Sequence, residues 1–331
     1  MKELVKRLTE AYGPSGFEAQ VRAIITAEVK DLADEVRTDG IGNLFVLKKG
    51  RDSGHRALVA AHMDEIGVMV THIDKDGFAR FTRIGGVRPL GLPGARVVFA
   101  NGLVGSIGLE KLEDRTKIPD LDKMFIDVGA KDRESCPVKV GDAATFWQPF
   151  AAQHGRWIAK AFDDRIGCAV LIETLRAVPQ PAYDTYFVFT AQEEVGVRGA
   201  TVAAFGVEPD YAIALDVTTT GDTPESHPMA VGIGKGPAIK VMDRGMIVHQ
   251  GLKDWMIQTA NEAGIRYQLE VLEFGSTDAM AMQTTREGVP AGVLSIPTRH
   301  VHSPSEMVDE SDVHDAVKLL AALLSRPVSL E

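Results

Sequence analysis

The segment TAQEEVG (190–196) follows the apolar run YFVF (186–189), so Glu193 and Glu194 stand where a buried strand ends. Consecutive residues leaving a strand point in different directions, which lets one carboxylate ligate a metal ion while its neighbour holds water beside it. Three other segments carry compatible groups. In His62-Met63-Asp64 the alternation of a strand puts imidazole and carboxylate on one face, a spacing by which a carboxylate orients a metal-binding histidine. In AFDDRIG (161–167), Asp163 and Asp164 open a helix whose N-terminal dipole favours negative charge. An adjacent pair following Ala-Phe also needs a cation once one member is buried. In RHVHSPSE (299–306), His300 and His302 share a face if the segment is extended, and one of them could complete a metal site. Taken singly, each has a plain alternative: a surface His-Asp pair, a helix cap, a structural histidine.

Taken together, imidazoles and carboxylates without cysteine suit two Zn²⁺, Co²⁺ or Mn²⁺ ions bridged by one carboxylate. Such a pair polarises a carbonyl and makes hydroxide available near neutral pH. One glutamate of the Glu-Glu pair then binds metal and the other is the general base.

These residues need a scaffold that brings them together. The runs ALVAA (57–61), YFVFTA (186–191) and YAIAL (211–215) are short and wholly apolar, as in the middle of a parallel sheet covered on both faces. They lead into HMDEIG, Gln192-Glu193-Glu194 and Asp216. Helical patterns at 164–178, 251–264, 277–287 and 311–325 alternate with or follow them, which predicts a doubly wound α/β layer. Ligands of such sheets bind at the carboxyl ends of the strands, where these acids and the imidazole lie. Near the N-terminus, MKELVKRLTEAYG starts an amphipathic helix. Ser15 and Glu18 have capping-box spacing before Phe17, Val21, Ile24, Ile25, Val29 and Leu32, which predicts a second one. Residues 68–154, rich in Gly and Pro and carrying short alternating segments such as FARFTRI and ARVVFANG, predict a small inserted β-rich domain. The catalytic domain is then 1–67 plus 155–331.

Composition narrows the function further. The 331 residues are 45% hydrophobic, enough for a large core plus a smaller module. Asp plus Glu number 46 against 36 Lys plus Arg, a net charge of −10, so no nucleic-acid partner is expected. No apolar run reaches the roughly 18 residues of a membrane span, and the N-terminus has no apolar signal core. A cytoplasmic protein without membrane partner is expected. Cys136 and Cys168 lie far apart and are read as ordinary reduced residues.

At AHMDEIG, FIDVGA, KAFDDRIG, TAQEEVGVRGA, ALDVT, GKGPAI, FGSTDA and RHVHSPSEMV, the chain resembles the glutamyl aminopeptidase family of dinuclear metallopeptidases, which includes the tetrahedral (TET) aminopeptidases. The segments run in family order from near residue 10 to near residue 325. The resemblance implies a zinc-exopeptidase-like mixed sheet flanked by helices, with a β-barrel or PDZ-like oligomerisation domain inserted between the HxD strand and the DD segment. The long step from His62 to Asp163 (163 − 62 = 101 residues) agrees with that early insertion, because a βαβ crossover needs far less chain.

Carried over, the resemblance implies that His62, Asp163 and Asp216 hold one metal, and that Asp163, Glu194 and His302 hold the other. Asp163 would bridge, Glu193 would be the general base, and Asp64 would orient His62. A cis Asp163–Asp164 peptide is implied as well. The implied reaction removes N-terminal residues from short peptides with a free amino terminus, within a homo-oligomer, a self-compartmentalising dodecamer. Three departures stand out: GLEKLEDRTKIPD where relatives carry Lys-Pro-Pro-His, His300 where Tyr is common, and Ser276 where Gly is frequent. Two further readings are a glycosidase of endoglucanase type, since paired carboxylates also cleave glycosides, and a non-catalytic metal-binding assembly protein. Two histidines are superfluous for the first, and a lost ligand is expected for the second.

Overall fold

The structure is a computed structural model that describes all residues except 113, 115 and 331. The strands are β1 (Glu35–Thr38), β2 (Leu44–Lys48), β3 (Asp52–His62), β4 (Gly67–Ile73), β5 (Ala79–Ile84), β6 (Arg96–Phe99), β7 (Val104–Leu109), β8 (Met124–Asp127), β9 (Ala143–Phe146), β10 (Ala151–Gln153), β11 (Arg156–Ala159), β12 (Tyr183–Thr190), β13 (Tyr211–Thr218), β14 (Ala238–Met242), β15 (Gln268–Val271), β16 (Ala291–Arg299) and β17 (Glu306–Asp309). The helices are α1 (Lys2–Glu10), α2 (Ala19–Val29), α3 (Phe162–Ala177), α4 (Arg198–Val207), α5 (Gln250–Glu262), α6 (Asp278–Gln283) and α7 (Glu310–Leu324).

The wholly apolar runs become the centre of a mixed eleven-stranded sheet in the order β1-β2-β12-β3-β13-β16-β17-β11-β10, with β14 and β15 attached beside β16. β12, β3, β13 and β16 are mutually parallel, and His62 pairs in register with Thr190. Their carboxyl ends therefore lie side by side. β13 is buried along its whole length, as a strand covered by helices on both faces must be. One face packs on α1, α2, α3, α5 and α7 through residues such as Leu8, Ile25, Phe162, Leu171 and Leu319. The other packs on α4 and α6, where Ala200, Ala203, Ala204 and Ala279 let the helices approach closely. The α/β fold with a large mixed sheet and helices on both faces is the one read from the alternating elements.

Between β3 and β10 the chain forms a closed barrel in the order β4-β5-β8-β7-β6-β9. Its interior is filled by Val68, Val70, Phe81, Val97, Ile107, Ile126 and Phe146. The barrel's last strand ends at Phe146, and Ala151–Gln153 already pairs with the large sheet through β11. In the divergent segment 109–120, residues 113 and 115 lie outside the described ones.

Three local expectations are corrected. The capping box does not form: α2 begins at Ala19 and has no side-chain cap, because Gly16 at φ 86° turns the chain away and commits Ser15 and Glu18 elsewhere. The helix expected over 277–287 is only Asp278–Gln283, because Arg286 (φ 49°) and Gly288 (φ 98°) reverse the chain. The segment RHVH is not extended, since His300 (φ 60°) and His302 (φ 63°) both sit in left-handed turns. Among the described residues, no helix is long and apolar enough to cross a membrane.

Candidate metal centre

The sheet register delivers the side chains. His62 is the last residue of β3, Glu193 and Glu194 follow β12, Asp216 lies near the end of β13, and His302 follows β16. Asp163 enters from the first turn of α3, whose Asp163–Asp164 peptide is cis. Two groups of donors converge, His62 with Asp164 and Asp216, and Asp163 with Glu194 and His302, each with its ligand atoms within 4.8 Å of one another.

The carboxylate of Asp163 stands between the groups. Its Oδ1 is 3.0 Å from His62 Nε2 and its Oδ2 is 3.2 Å from His302 Nε2. Asp164 is differently placed: Oδ2 accepts the His62 N–H at 3.2 Å and Oδ1 accepts the Gly167 N–H at 3.1 Å, so backbone amides occupy both oxygens. On the outer side, His302 Nε2 lies 3.3 Å from Glu194 Oε2. Glu193 Oε2 is 3.9 Å from His62 Nε2 and belongs to neither group. His62 Nδ1 faces the Asp64 carbonyl at 3.0 Å and the Asp64 carboxylate at 3.5 Å, which directs Nε2 toward the centre. His300 is exposed, so of the two histidines only His302 joins the donors.

Electrostatics single out the same place. Burial, then the negative charge of neighbouring acids, raises Asp216 well above the usual carboxylate range, with Asp163 the foremost neighbour. Burial likewise raises Glu193 against the pull of His62, with Asp216 and Asp278 adding to the rise. Burial alone would depress the His302 imidazole, but its bonds to Asp163 and Glu194 outweigh this and push it up to about 11. Asp163, buried between two imidazoles, is pulled below the ordinary range. So many acids within a few ångströms demand positive charge. Glu194 Oε1 is buried and has no hydrogen-bond partner among the described residues, as an oxygen reserved for a cation would be. The donor set therefore fits divalent ions.

Sequence reasoning missed the supports. Glu306 accepts the His302 N–H at 2.9 Å on one oxygen and the Asp163 N–H at 3.1 Å on the other, tying two donors to one carboxylate. The Ser15 hydroxyl donates to Asp64 at 2.6 Å, and Glu18 accepts the Gln192 N–H at 3.2 Å. From the barrel rim, Gly85 and Gly86 press on the centre: a Cβ would stand 2.9 Å from Glu194 Oε2 at the first and 2.2 Å from His302 Nδ1 at the second. The Gly-Gly pair in IGGVRP, inside the Gly- and Pro-rich stretch, was the available signal. Beside the centre, a cavity of about 180 Å³ touches Asp163, Asp216 and His302 and is floored by Lys240, whose amine is 2.8 Å from buried Glu270 and 3.4 Å from Asp243.

A mixed sheet with helices on both faces, an inserted barrel and convergent imidazole and carboxylate donors is an architecture suited to hydrolysis assisted by divalent metal. Residues 42–319 match the family described as M42 glutamyl aminopeptidase, and the chain belongs to that family. It is an aminopeptidase, a hydrolase of the exopeptidase kind. A putative aminopeptidase of Acetivibrio thermocellus is 49% identical over 97% of both chains. The solved TET aminopeptidase of the marine sediment archaeon Thaumarchaeota archaeon SCGC AB-539-E09 superposes with a TM-score of 0.94 at 40% identity, covering 98% of this chain and 96% of that one. The Pyrococcus horikoshii TET1 peptidase, described as assembling into a tetrahedron or a large octahedral shell, gives a TM-score of 0.89 at 34% identity over 98% of this chain and 99% of that one.

Proposed function

We propose that the enzyme releases N-terminal residues from short peptides at a dinuclear centre in which His62, Asp163 and Asp216 hold one ion and Asp163, Glu194 and His302 the other. The observation that carries this is the placement of Asp163, with one oxygen toward each histidine. Zn²⁺ or Co²⁺ best suits the donors, with Mn²⁺ also compatible. Bound there, the ions supply Lewis acidity that polarises the scissile carbonyl and acidifies water. Asp216, Glu194 and the two histidines orient that centre. Glu193, outside both donor groups yet beside His62, takes the proton of the attacking water and passes it to the leaving amine. Asp64 holds the His62 ring and the turn that carries Glu193.

The same reading includes a cytoplasmic location and a homo-oligomer of twelve chains, the latter supported by the dodecamer described for the solved PhTET1 structure. Metal analysis of the purified chain, a panel of aminoacyl amides assayed with each ion, and light scattering test it together. About two ions per chain, hydrolysis only at free amino termini and a particle of twelve chains are expected. Full activity after exhaustive chelation overturns the dinuclear assignment, and a strictly monomeric particle overturns the assembly.

A further inference from the structure

We propose that a second cavity, on the outer side of His302, receives the side chain of the substrate's second residue and that the enzyme favours a leucine- or phenylalanine-like residue there. This rests on the aminopeptidase reading and on His302 standing at the metal centre. Two cavities meet at Arg88, Val301 and His302. The first reaches Asp163 and Asp216 and has the buried Lys240 in its lining, which suits it to the first residue. The second, about 290 Å³, touches only His302 among the five donors and therefore lies one step farther out.

Consecutive Cα atoms of a peptide are about 3.8 Å apart, so a substrate whose first carbonyl lies at the centre brings its second side chain to the adjoining space. The walls of that space are Leu90, Leu92 and Phe146 from the barrel and Val301 and Pro304 from the turn after β16, and among the described residues no carboxylate lines it. An apolar side chain gains burial there, while the polar groups that a carboxylate would meet are Arg88, His300, His302 and Ser303. Leu90 is 72% exposed, a large apolar residue left open where a peptide would pass.

The test uses the metal-loaded full chain and dipeptide amides that share the first residue most rapidly cleaved from simple aminoacyl amides. With Phe or Leu second, kcat/KM is expected to be about tenfold above that with Gly, and with Asp below it. Leu90→Asp is expected to bring the Phe-to-Gly ratio down toward unity and to raise Lys-to-Gly. Leu90→Lys is expected to raise Asp-to-Gly. Val202→Asp, on an exposed face of α4 away from the centre, is expected to keep the wild-type ratios. A wild type that cleaves all these dipeptides equally well overturns the proposal while leaving the aminopeptidase reading intact. So does Asp as the best second residue, which would make Arg88 the determinant. Leu90 variants that alter particle size by light scattering but keep the ratios also overturn it, by assigning Leu90 to a subunit contact. Failure to cleave any aminoacyl amide overturns both readings.

Discussion

Asp64 accepts the backbone N–H of Glu193 on Oδ1 at 2.9 Å and that of Glu194 on Oδ2 at 3.2 Å. The same carboxylate receives the Ser15 hydroxyl and faces the His62 ring, so one buried group sets both the histidine and the turn after β12. Asp64→Asn leaves only one accepting oxygen and turns an NH₂ toward an N–H donor. The expected result is a fall in kcat/KM of about 10–100-fold with weaker metal retention. Kinetics and metal analysis check this, with Ser15→Ala expected to show the same change at smaller amplitude.

Glu193→Gln keeps shape and hydrogen bonding but loses the basic oxygen. Metal content is expected to persist while kcat drops by about 10²–10⁴. Glu194→Gln, by contrast, offers a neutral amide where a carboxylate fits the ion, so metal is expected to be lost and added metal to restore part of the activity. Loss of metal in the first variant would reverse the two roles.

Gly86→Ala would put a methyl group 2.2 Å from His302 Nδ1, so the ring must swing away from Asp163 and Glu194. The expected outcome is loss of one ion per chain and of most activity, with the barrel still folded by circular dichroism. Gly206→Ala in α4, where an added methyl group would meet none of the described residues within 4 Å beyond the helix's own backbone and chain neighbours, serves as the comparison and is expected to be neutral or stabilising by about 0.5–1 kcal/mol.

Lys160 gives a stability prediction with a definite sign. Burial depresses its amine to about 8, against the pull of Glu65, whose carboxylate is 2.6 Å away. From about pH 8 up to the ordinary lysine range the unfolded chain holds a proton that the folded chain has released, so stability rises with pH there, by at most about 1.4 kcal/mol per pH unit. Other groups titrate in the same range, so the readout is the difference between wild type and Lys160→Met in chemical denaturation. That difference is expected to shift in favour of wild type between pH 8 and 10, and parallel curves would refute it.

The elements that position the centre were legible because a strand covered on both faces must be continuously apolar. ALVAA, YFVFTA and YAIAL announce themselves, and the polar residues at their ends are then conspicuous. The supports were not legible for a different reason. Ser15 and Glu18 have the right spacing for a helix cap, and only Gly16 in its left-handed conformation shows that they serve Asp64 and Gln192 instead. Glu306 looks like any carboxylate opening a short strand until its oxygens are seen on the Asp163 and His302 amides. The buried Lys240, Asp243 and Glu270 are assembled by the pairing of β14 with β15, a long-range event that no local pattern encodes.

Glu65, at the point where the chain leaves the catalytic layer for the barrel, receives Lys160 and Arg165 from one side and the Thr145 hydroxyl, 2.6 Å away on the returning strand, from the other. Outgoing and returning chain are thus buttoned together at their base, while the Gly85–Gly86 edge rests on Glu194 and His302. The barrel is anchored at its foot and touches the chemistry at its lip. Its turn at 74–77, at the far end of the β4–β5 hairpin, touches neither fixed point, but a change at either of those points would be felt by the ligands themselves. A module of this kind can diversify what it meets outside the molecule without retuning the reaction inside it.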